Sequence, residues 1–528
     1  MGFRLTSGAD LRQLTGLDAQ FLALETPRQS GHFSGLTILD PSTRPNGRLE
    51  LADVRRMIAE RLPLLAPFRW RLKEVPLGLD YPYWIDDPEF DLEYHVREVA
   101  LPPPPTDAKL AEQVARIFER PLDRARPLWE LYLIYGLSDG NVGLLTKVHH
   151  AAVDGMSGAE IMGVLLDLSP EGREPSPPGS APDREPGEVE MFARGLLGVP
   201  RYLGRVLRGF PSTLSNLEDT PIIGEVPGAK TLGRTAARTM HGGQSHVLER
   251  TSLTRPRTSF SGRVSPHRRF AFGQLPLDEV KAVKNEYGFT VNDVIVSLAA
   301  SAVRRWLVEH DELPDRPLVA LVPVSVRSEE QRGTYGNRVG TMSVPLFTNE
   351  PDPVARLRLT HEALRSAKER HKALPAQLLQ DATQFIPPAV FARASRVTFS
   401  LAATRTPVWN LVVSNVPGPQ LPLYCLGALV QAMYPVSVIT DGMGLNITVM
   451  SYCGHLDFGI VADREQIPDV WKLIEWLRES LDELRPAAAR QKPRAAIPDA
   501  GATEQPEQPP ATRPSRTQGA RQRRARER

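Results

Sequence analysis

Two adjacent histidines, His149 and His150, are the residues whose types and spacing most directly suggest chemistry. They end a segment of alternating apolar residues, and Asp154 and Gly155 follow shortly after them. Because neighbouring strand residues point to opposite faces, only one of the two imidazoles can face a given cleft. A neutral imidazole with a pKa of about 6.5 can take a proton from a hydroxyl group and return it to a leaving group. The pattern therefore indicates general-base catalysis of acyl transfer from a thioester to an alcohol.

The position of each residue predicts its part in such a reaction. His150 adjoins the loop and is the expected base, whereas His149 points into the opposite face and fixes the strand. Asp154 is expected to form a structural ion pair or to hold the loop, which orients His150 indirectly. Gly155 is expected to supply a backbone conformation that a Cβ atom would hinder. Since the sequence lacks a Gly-X-Ser-X-Gly nucleophile motif, we expect direct transfer without an acyl-enzyme.

Three other interpretations of the histidine pair compete with this one. A metal site is conceivable because histidine is the commonest metal ligand, but adjacent strand residues diverge and no His-Glu-X-X-His pattern is present. A buried pair that only stabilises the fold is the second. The third is the His-X4-Asp dyad of glycerol-phosphate acyltransferases, which His149 and Asp154 would form. The block that should follow that dyad is reduced here to "PEGR" at 170–173, inside a proline-rich stretch.

Alternating strands and amphipathic helices surround the motif and must position it. Residues 128–137 and 142–150 predict two strands joined by a turn at "SDGN", and Ser157 with Glu160 predicts a capping box at the start of a helix. Residues 292–307 predict a further helix. Three more segments read as strands, namely 317–326, 408–416 and 445–462. The fold class predicted from this pattern is α/β, or α+β with mixed sheets.

The distribution of proline and apolar residues divides the 528-residue chain into four parts. We expect an N-terminal half (1–168) with the histidines, a proline-rich linker (169–265), a C-terminal half (266–485) and a disordered basic tail (486–528). The net charge of +2 gives no reason to expect nucleic acid as a partner.

The cysteines and the apolar segments indicate the compartment. Cys425 and Cys453 lack disulfide or metal spacing, and no segment resembles a signal peptide or a membrane-spanning helix. The protein is therefore expected to be cytoplasmic.

Residues 189–210 interleave large apolar residues with arginines. One interpretation is a helix that lies in a membrane interface, and the other is a helix packed on its own protein with the arginines outward. The sequence leaves both open.

Six further stretches, together with "HHAAVDG", match one known family in the same order along the chain. They are "LTGLDAQFLALET" (14–26), "PLDRARPLWELYLI" (121–134), "VNDVIVSLAASAVRRWL" (291–307), "VPVSVRSEEQRGTYGNRVGTMSVPL" (322–346), "VVSNVPGPQLPLY" (412–424) and "GLNITVMSYCGHLDFGIVAD" (444–463). Taken together they resemble the bacterial wax ester synthase/acyl-CoA:diacylglycerol acyltransferase family. "LDFG" at 456–459 is a partial match to an element of the wider superfamily, and we expect it to be structural.

The resemblance implies two chloramphenicol-acetyltransferase-like domains with a channel between them and His150 midway along it. It also implies that Asn292 and Asp293 lie near the active site or the domain contact, and that Ser414 and Asn415 line the site or donate to an oxyanion. From the residues alone, Asn292 could equally be a helix N-cap, and Ser414 and Asn415 could simply stabilise a turn. Trp129, within a Pro-Leu-Trp motif that also matches, reads as a core residue.

The expected activity is transfer of a long-chain acyl group from acyl-CoA to diacylglycerol, which forms triacylglycerol. Acyl-CoA is a substrate, and no cofactor is expected. Because both substrates are mostly hydrocarbon, we expect peripheral contact with a membrane or lipid droplet. The alternatives are wax ester synthesis from long-chain alcohols, acylation of a complex cell-envelope lipid, and a catalytically silent lipid-binding protein.

Overall fold

The computed structural model describes residues 12–76, 79–153, 158–173, 255–325, 339–373 and 409–485. Several residues discussed above lie outside these ranges: Asp154, Gly155, Ser157, the segment 189–210 and the tail 486–528. The predictions made for them stay predictions.

Strands and helices alternate along the described chain. The described strands are β1 (Arg12–Gln13), β2 (His32–Asp40), β3 (Trp70–Lys73), β4 (Tyr83–Asp86), β5 (Val96–Ala100), β6 (Trp129–Tyr135), β7 (Val142–His149), β8 (Arg268–Pro276), β9 (Leu318–Ser325), β10 (Val339–Leu346), β11 (Leu411–Val416), β12 (Tyr424–Cys425), β13 (Ala428–Val436), β14 (Leu445–Tyr452) and β15 (His455–Asp463). The described helices are α1 (Gly16–Leu24), α2 (Leu51–Arg61), α3 (Leu92–His95), α4 (Asp107–Phe118), α5 (Gly158–Leu165), α6 (Leu277–Tyr287), α7 (Val291–Glu309), α8 (Pro353–Ala373) and α9 (Trp471–Leu484).

These strands form two six-stranded sheets and one three-stranded sheet. The first large sheet has the order β12-β13-β2-β7-β6-β5 and the second β10-β9-β11-β14-β15-β8, while the small sheet is β1-β4-β3. β5 pairs with β6 in parallel and β11 pairs with β14 and β9 in parallel, whereas the other pairings are antiparallel. The prediction of mixed sheets in an α/β or α+β fold is confirmed.

β7, which carries the histidine pair, is an interior strand of the first sheet. It lies between β2 and β6, with His149 opposite His32 and Val148 opposite Trp129. Seven of its eight residues are buried, as expected for a strand covered on both faces. Trp129 is a core residue, as its alternating strand predicts: its ring stacks on Phe68, and its indole N–H donates to the Phe68 carbonyl at 2.8 Å.

The two halves of the chain exchange a segment. β12 and β13 belong to the C-terminal half in sequence but extend the first sheet, where β13 pairs with β2 from Leu429↔Asp40 to Val436↔Ser34. The predicted boundary at 266–485 misses this crossover, since strand propensity does not reveal which sheet a strand joins.

The crossover is fixed by contacts between β13 and β15. The buried Asp457 carboxylate accepts the backbone N–H of Met433 at 2.6 Å and the side-chain amide of Gln274 at 2.9 Å. A Cβ on Gly459 would lie 1.7 Å from the Pro435 carbonyl oxygen, so only glycine fits. The "LDFG" stretch therefore joins the two sheets, which is a structural role.

The predicted strand segment 445–462 is a hairpin of β14 and β15. Its turn residues Cys453 and Gly454 have φ angles of 40° and 81°, in the left-handed region that a tight two-residue turn requires. Both ends of the predicted linker 169–265 pack on the fold. Arg173 Nε is 2.8 Å from Asp167 Oδ1, and Phe260 is buried in the core of the C-terminal half. The described ends of this predicted linker, 169–173 and 255–265, therefore contact the fold, and its extent stays a prediction.

Candidate active site

The histidine pair lies where β7 ends and a short 3-10 turn, His150–Val153, begins. The backbone N–H of His149 donates to the Leu128 carbonyl at 3.0 Å, and that of His150 donates to the Gly31 carbonyl at 2.9 Å. The two backbone amides thus donate to neighbouring segments on opposite sides of the end of β7. This arrangement separates the two rings, as the strand geometry predicts.

His149 is held by hydrogen bonds at both ring nitrogens. Nδ1 accepts the backbone N–H of Ala151 at 3.0 Å, so the ring proton lies on Nε2, which donates to Glu25 Oε1 at 3.1 Å. The side chain is 1% exposed. With neither nitrogen available, His149 cannot serve as a base or as a metal ligand in this arrangement.

Glu25 connects His149 to two other groups. Its Oε1 accepts the backbone N–H of Gly31 at 2.8 Å, and its Oε2 accepts Arg124 Nη2 at 2.6 Å. Burial by itself would raise the pKa of Glu25, but the contacts with His149, Gly31 and Arg124 outweigh it and lower the pKa to about 2. The carboxylate is therefore ionised throughout the physiological range and fixes the ring of His149.

His150 has a different environment. Its half-buried ring stacks on Phe21 with centroids 4.7 Å apart and planes 17° apart, and it meets Phe33 at 4.9 Å and 46°. Among the partners that the structure describes, neither ring nitrogen of His150 has a hydrogen bond. Burial, with a further contribution from the neighbouring His149, lowers the pKa of His150 to about 4. The ring is therefore neutral at physiological pH, and its nitrogens are available.

Gly31 lies between the two histidines and leaves no room for a side chain. A Cβ there would lie 2.8 Å from His149 Nε2 and 3.1 Å from the Phe21 carbonyl oxygen. Its carbonyl holds the backbone of His150, and its amide holds Glu25. Gly31 therefore ties α1, β2 and the histidine pair together.

Sequence reasoning did not single out Phe21, Glu25, Gly31, Phe33 or Arg124. A signal existed for Glu25, which is the C-cap residue of α1. The helix dipole disfavours a carboxylate at that end, so an acidic residue there indicates a partner elsewhere. The two phenylalanines carried no such signal, because apolar residues in a helix and a strand read as core.

The candidate residues of the C-terminal half form a second group. Asn415 Nδ2 donates to Asn292 Oδ1 at 3.3 Å, so these two side chains are brought together. Ser414 and Asn415 lie within β11, paired with Thr448 and Val449 of β14, and not in a loop after the strand. The strand predicted at 408–416 contains both residues, and the alternative that they only stabilise a turn is wrong, because parallel pairing with β14 extends the strand through them. Their predicted substrate-binding role stays a prediction.

Asp293 is engaged within the protein. It closes a capping box with Thr290, the N-cap of α7, and its Oδ2 lies 2.8 Å from His361 Nδ1. The alternative interpretation of Asn292 as the N-cap is wrong, because Thr290 fills that position. Within the described residues no hydrogen bond links Asn292 or Asp293 to the histidine pair, and their binding role stays a prediction.

Two family models match this chain. The wax ester synthase/diacylglycerol acyltransferase catalytic domain matches residues 14–295, and the C-terminal domain of the same family matches residues 335–485. This chain belongs to the wax ester synthase/diacylglycerol acyltransferase family. The first match runs from the predicted N-terminal half through the predicted linker to the start of the C-terminal half, and the second lies within the C-terminal half.

Individual members of the family are similar over most of the chain. A Mycobacterium tuberculosis protein, provisionally named a diacylglycerol O-acyltransferase, is 36% identical over 478 residues, which is 90% of each chain. The M. tuberculosis protein tgs2, named in the same way, is 33% identical and covers 89% of this chain and 98% of its own length. The wax ester synthase/diacylglycerol acyltransferase from Marinobacter aquaeolei VT8 matches in structure with a TM-score of 0.63 and 29% identity, over 90% of this chain and 98% of that one.

A more distant structural match shows how widely the fold occurs. The trichothecene 15-O-acetyltransferase TRI3 from Fusarium sporotrichioides aligns with a TM-score of 0.55 at 13% identity, over 91% of this chain and 98% of that one. That match concerns the fold alone and agrees with the two chloramphenicol-acetyltransferase-like domains that the family resemblance implies.

Two features of the described residues concern metal binding and membrane insertion. No cluster of three or more His, Cys, Asp or Glu side chains in the described ranges could hold a metal ion. Among the helices that the structure describes, none has both the length and the apolar character to cross a bilayer.

Proposed function

We propose that this chain transfers a long-chain acyl group from acyl-CoA to diacylglycerol, forming triacylglycerol, with His150 as the general base. The observation that carries the proposal is the contrast within the histidine pair. His149 is saturated by Glu25 and Ala151, while the His150 ring is held without a hydrogen bond from any described partner. The family and its mycobacterial members support the substrate class.

The proposed chemistry is one displacement at a thioester. A ring nitrogen of neutral His150 accepts the proton of the acceptor hydroxyl as that oxygen attacks the thioester carbonyl. The tetrahedral intermediate then collapses, the C–S bond breaks, and the imidazolium returns the proton to the departing thiolate. An ester and free coenzyme A result, with no net proton change.

The lowered pKa of His150 makes the ring a weaker base for the first proton transfer and a stronger acid for the second. A ring with a pKa of about 4 is neutral, and so ready to act, over the whole physiological range. Once protonated it is a strong acid, which favours rapid transfer of the proton to the thiolate. No cofactor is required by this scheme, since the thioester is already activated.

The acceptor and the membrane contact are the finer parts of the proposal. Diacylglycerol is favoured by the names of the mycobacterial relatives, and a long-chain alcohol is the second candidate because the Marinobacter protein is named for both activities. Both acceptors reside in lipid, so peripheral contact with a membrane or lipid droplet is part of the proposal. Residues 189–210 are its candidate contact.

A two-acceptor assay tests the function. Purified protein is given labelled acyl-CoA with either diacylglycerol or hexadecanol, and the labelled ester is measured. We expect triacylglycerol in the wild type and its loss in His150→Ala, whereas His455→Ala, a change at an exposed histidine at the start of β15, should keep activity. Lipid binding without product from either acceptor would instead support a silent lipid-binding protein. Full activity of His150→Ala would exclude it as the base.

A further inference from the structure

We propose that Phe21 and Phe33 are positioning residues that clamp the His150 ring between them and shield it from water. The inference rests on the proposed role of His150 as the base. It explains how a ring can be held in one orientation although neither of its nitrogens takes a hydrogen bond from a described residue.

The two phenylalanines reach His150 from separate elements. Phe21 comes from α1 and lies nearly parallel to the imidazole, while Phe33 comes from β2 and meets it at a steep angle. Contacts from two directions restrict rotation of the ring about its Cβ–Cγ bond.

The position of Phe21 is itself fixed. The N-cap residue of α1 is Thr15, whose side chain accepts the backbone N–H of Asp18, and its C-cap residue is Glu25, which is bound to Arg124 and His149. The Phe21 carbonyl faces Gly31 closely enough to exclude a Cβ there. The helix therefore cannot slide along β2 without breaking these contacts.

The titratable side chains on the elements that pack around His150 are bonded to other groups and do not contact its ring. On α1 the buried Asp18 contacts Thr15, and Glu25 binds His149. On β2 the ring of His32 meets the Phe118 carbonyl at 2.6 Å, and on β7 the ammonium of Lys147 donates to the Ile117 carbonyl at 3.0 Å. The 3-10 turn at 66–68, which packs near His150–Val153, has no titratable side chain.

A carboxylate partner would also orient the ring, as Glu25 does for His149, but it would occupy one nitrogen and stabilise the imidazolium. Apolar contacts on the ring faces do neither. Among the described residues, the aromatic pair is thus the feature that combines orientation with availability.

The decisive experiment is a histidine titration by NMR in the full-length protein. The eleven histidines are labelled at Cε1, and the His150 resonance is assigned by its absence in His150→Gln. In Phe21→Leu and Phe33→Leu, which keep apolar volume but remove the aromatic plane, the His150 pKa should rise toward the ordinary value of about 6.5. Phe21→Tyr, which keeps the plane, should retain the wild-type titration.

Phe90 provides a matched control. It is also half-buried and also stacks on a histidine, His95, with centroids 5.2 Å apart and planes 10° apart. Phe90→Leu should leave the His150 titration unchanged. If the His150 pKa is unchanged in both Phe21→Leu and Phe33→Leu while both variants keep the wild-type circular dichroism spectrum, the clamp does not exist.

Kinetics separate this inference from the proposed function. For Phe21→Leu we expect kcat to fall about tenfold with little change in the KM for acyl-CoA, because the base is misplaced but the substrate sites are intact. The acidic limb of the rate profile should move to higher pH. Full activity of His150→Gln would refute the base while leaving the NMR result interpretable, since that titration does not depend on turnover.

Discussion

His149 and His150 are neighbours in the chain, yet they are held by opposite kinds of contact. His149 is fully buried and bonded at both nitrogens, through Glu25 to Arg124 on one side and to a backbone amide on the other. The ring of His150 contacts the rings of Phe21 and Phe33. One histidine thus stabilises the structure on one face of the strand end, and the next histidine is the candidate base on the other face.

The difference shows how a strand end can build a reactive group. The two-residue period of β7 sends the rings apart. A polar network on one face fixes the backbone and the ring of His149, whereas on the other face the ring of His150 contacts two phenylalanines and takes no hydrogen bond from a described residue. Burial of the His150 ring also favours its neutral form, which a base requires.

The largest expected effect comes from removing each ring in turn. His150→Ala should lower kcat by about 10²–10⁴-fold, the usual contribution of a positioned base, with little loss of thermal stability. His149→Ala should instead lower the melting temperature, because Glu25 loses its partner in a buried setting. Paired assays of rate and thermal unfolding check both. If the two variants lost the same rate and the same thermal stability, His149 and His150 would not differ in role as proposed.

The sequence was sufficient for one part of this site and not for the rest. The position of the pair at the end of β7 and the divergence of the rings follow from strand periodicity, and β6, β7, β9, β11 and α7 appear close to the ranges predicted for them. Glu25 and Gly31 were missed because they meet the pair through contacts more than 100 residues apart in sequence, which no local pattern encodes. The crossover of β13 was missed for the same reason.

Glu25→Gln is the next test, and it changes only the polar contacts that hold His149. The pKa of Glu25 is lowered from 4.5 to about 2, so its stabilising contribution is present above pH 4.5 and is lost as the pH falls toward 2. Allowing for the partial exposure of Arg124, the substitution should destabilise the fold by about 2–3 kcal/mol at pH 7. Chemical denaturation at pH 7 and at pH 3 checks this, and an equal loss at both values would contradict the ionic origin of the effect.

Gly31→Ala should have a smaller effect that reaches both faces. The added methyl group would press on His149 Nε2 and on the Phe21 carbonyl, at 2.8 and 3.1 Å. We expect a loss of about 2 kcal/mol from overpacking, together with a lower kcat, because displacement of Phe21 disturbs the ring of His150. Gly35→Ala is a suitable control, since a Cβ there would be 3.4 Å from Thr146 Oγ1. Wild-type stability and rate in Gly31→Ala would show that the two faces are not joined through this residue.

The smallest expected effect is at Asp457, which connects β13 and β15. A comparison of its carboxylate with that of Glu25 tests whether Arg124 and His149 account for the low pKa of Glu25. Both carboxylates accept a backbone N–H at short distance, but Asp457 has only amide donors and no ion-pair partner among the described residues. Burial raises its pKa from 3.8 to about 6, despite the hydrogen bonds from Met433 and Gln274. The native state therefore binds the proton more tightly than the unfolded chain does. Stability should fall as the pH rises from about 4 to about 6 and then level off, the opposite of Glu25.

Asp457→Asn should remove that slope and raise the free energy of unfolding by about 1–2 kcal/mol at pH 7, less than the pKa shift alone implies, because the amide replaces one acceptor with a donor. The measurement is denaturant unfolding of wild type and variant between pH 4 and pH 8. A wild-type slope of the other sign would mean that an amide donor alone can stabilise a buried carboxylate. In that case Arg124 would not be needed to explain the low pKa of Glu25, and the polar face would hold His149 by hydrogen bonding without an ion pair.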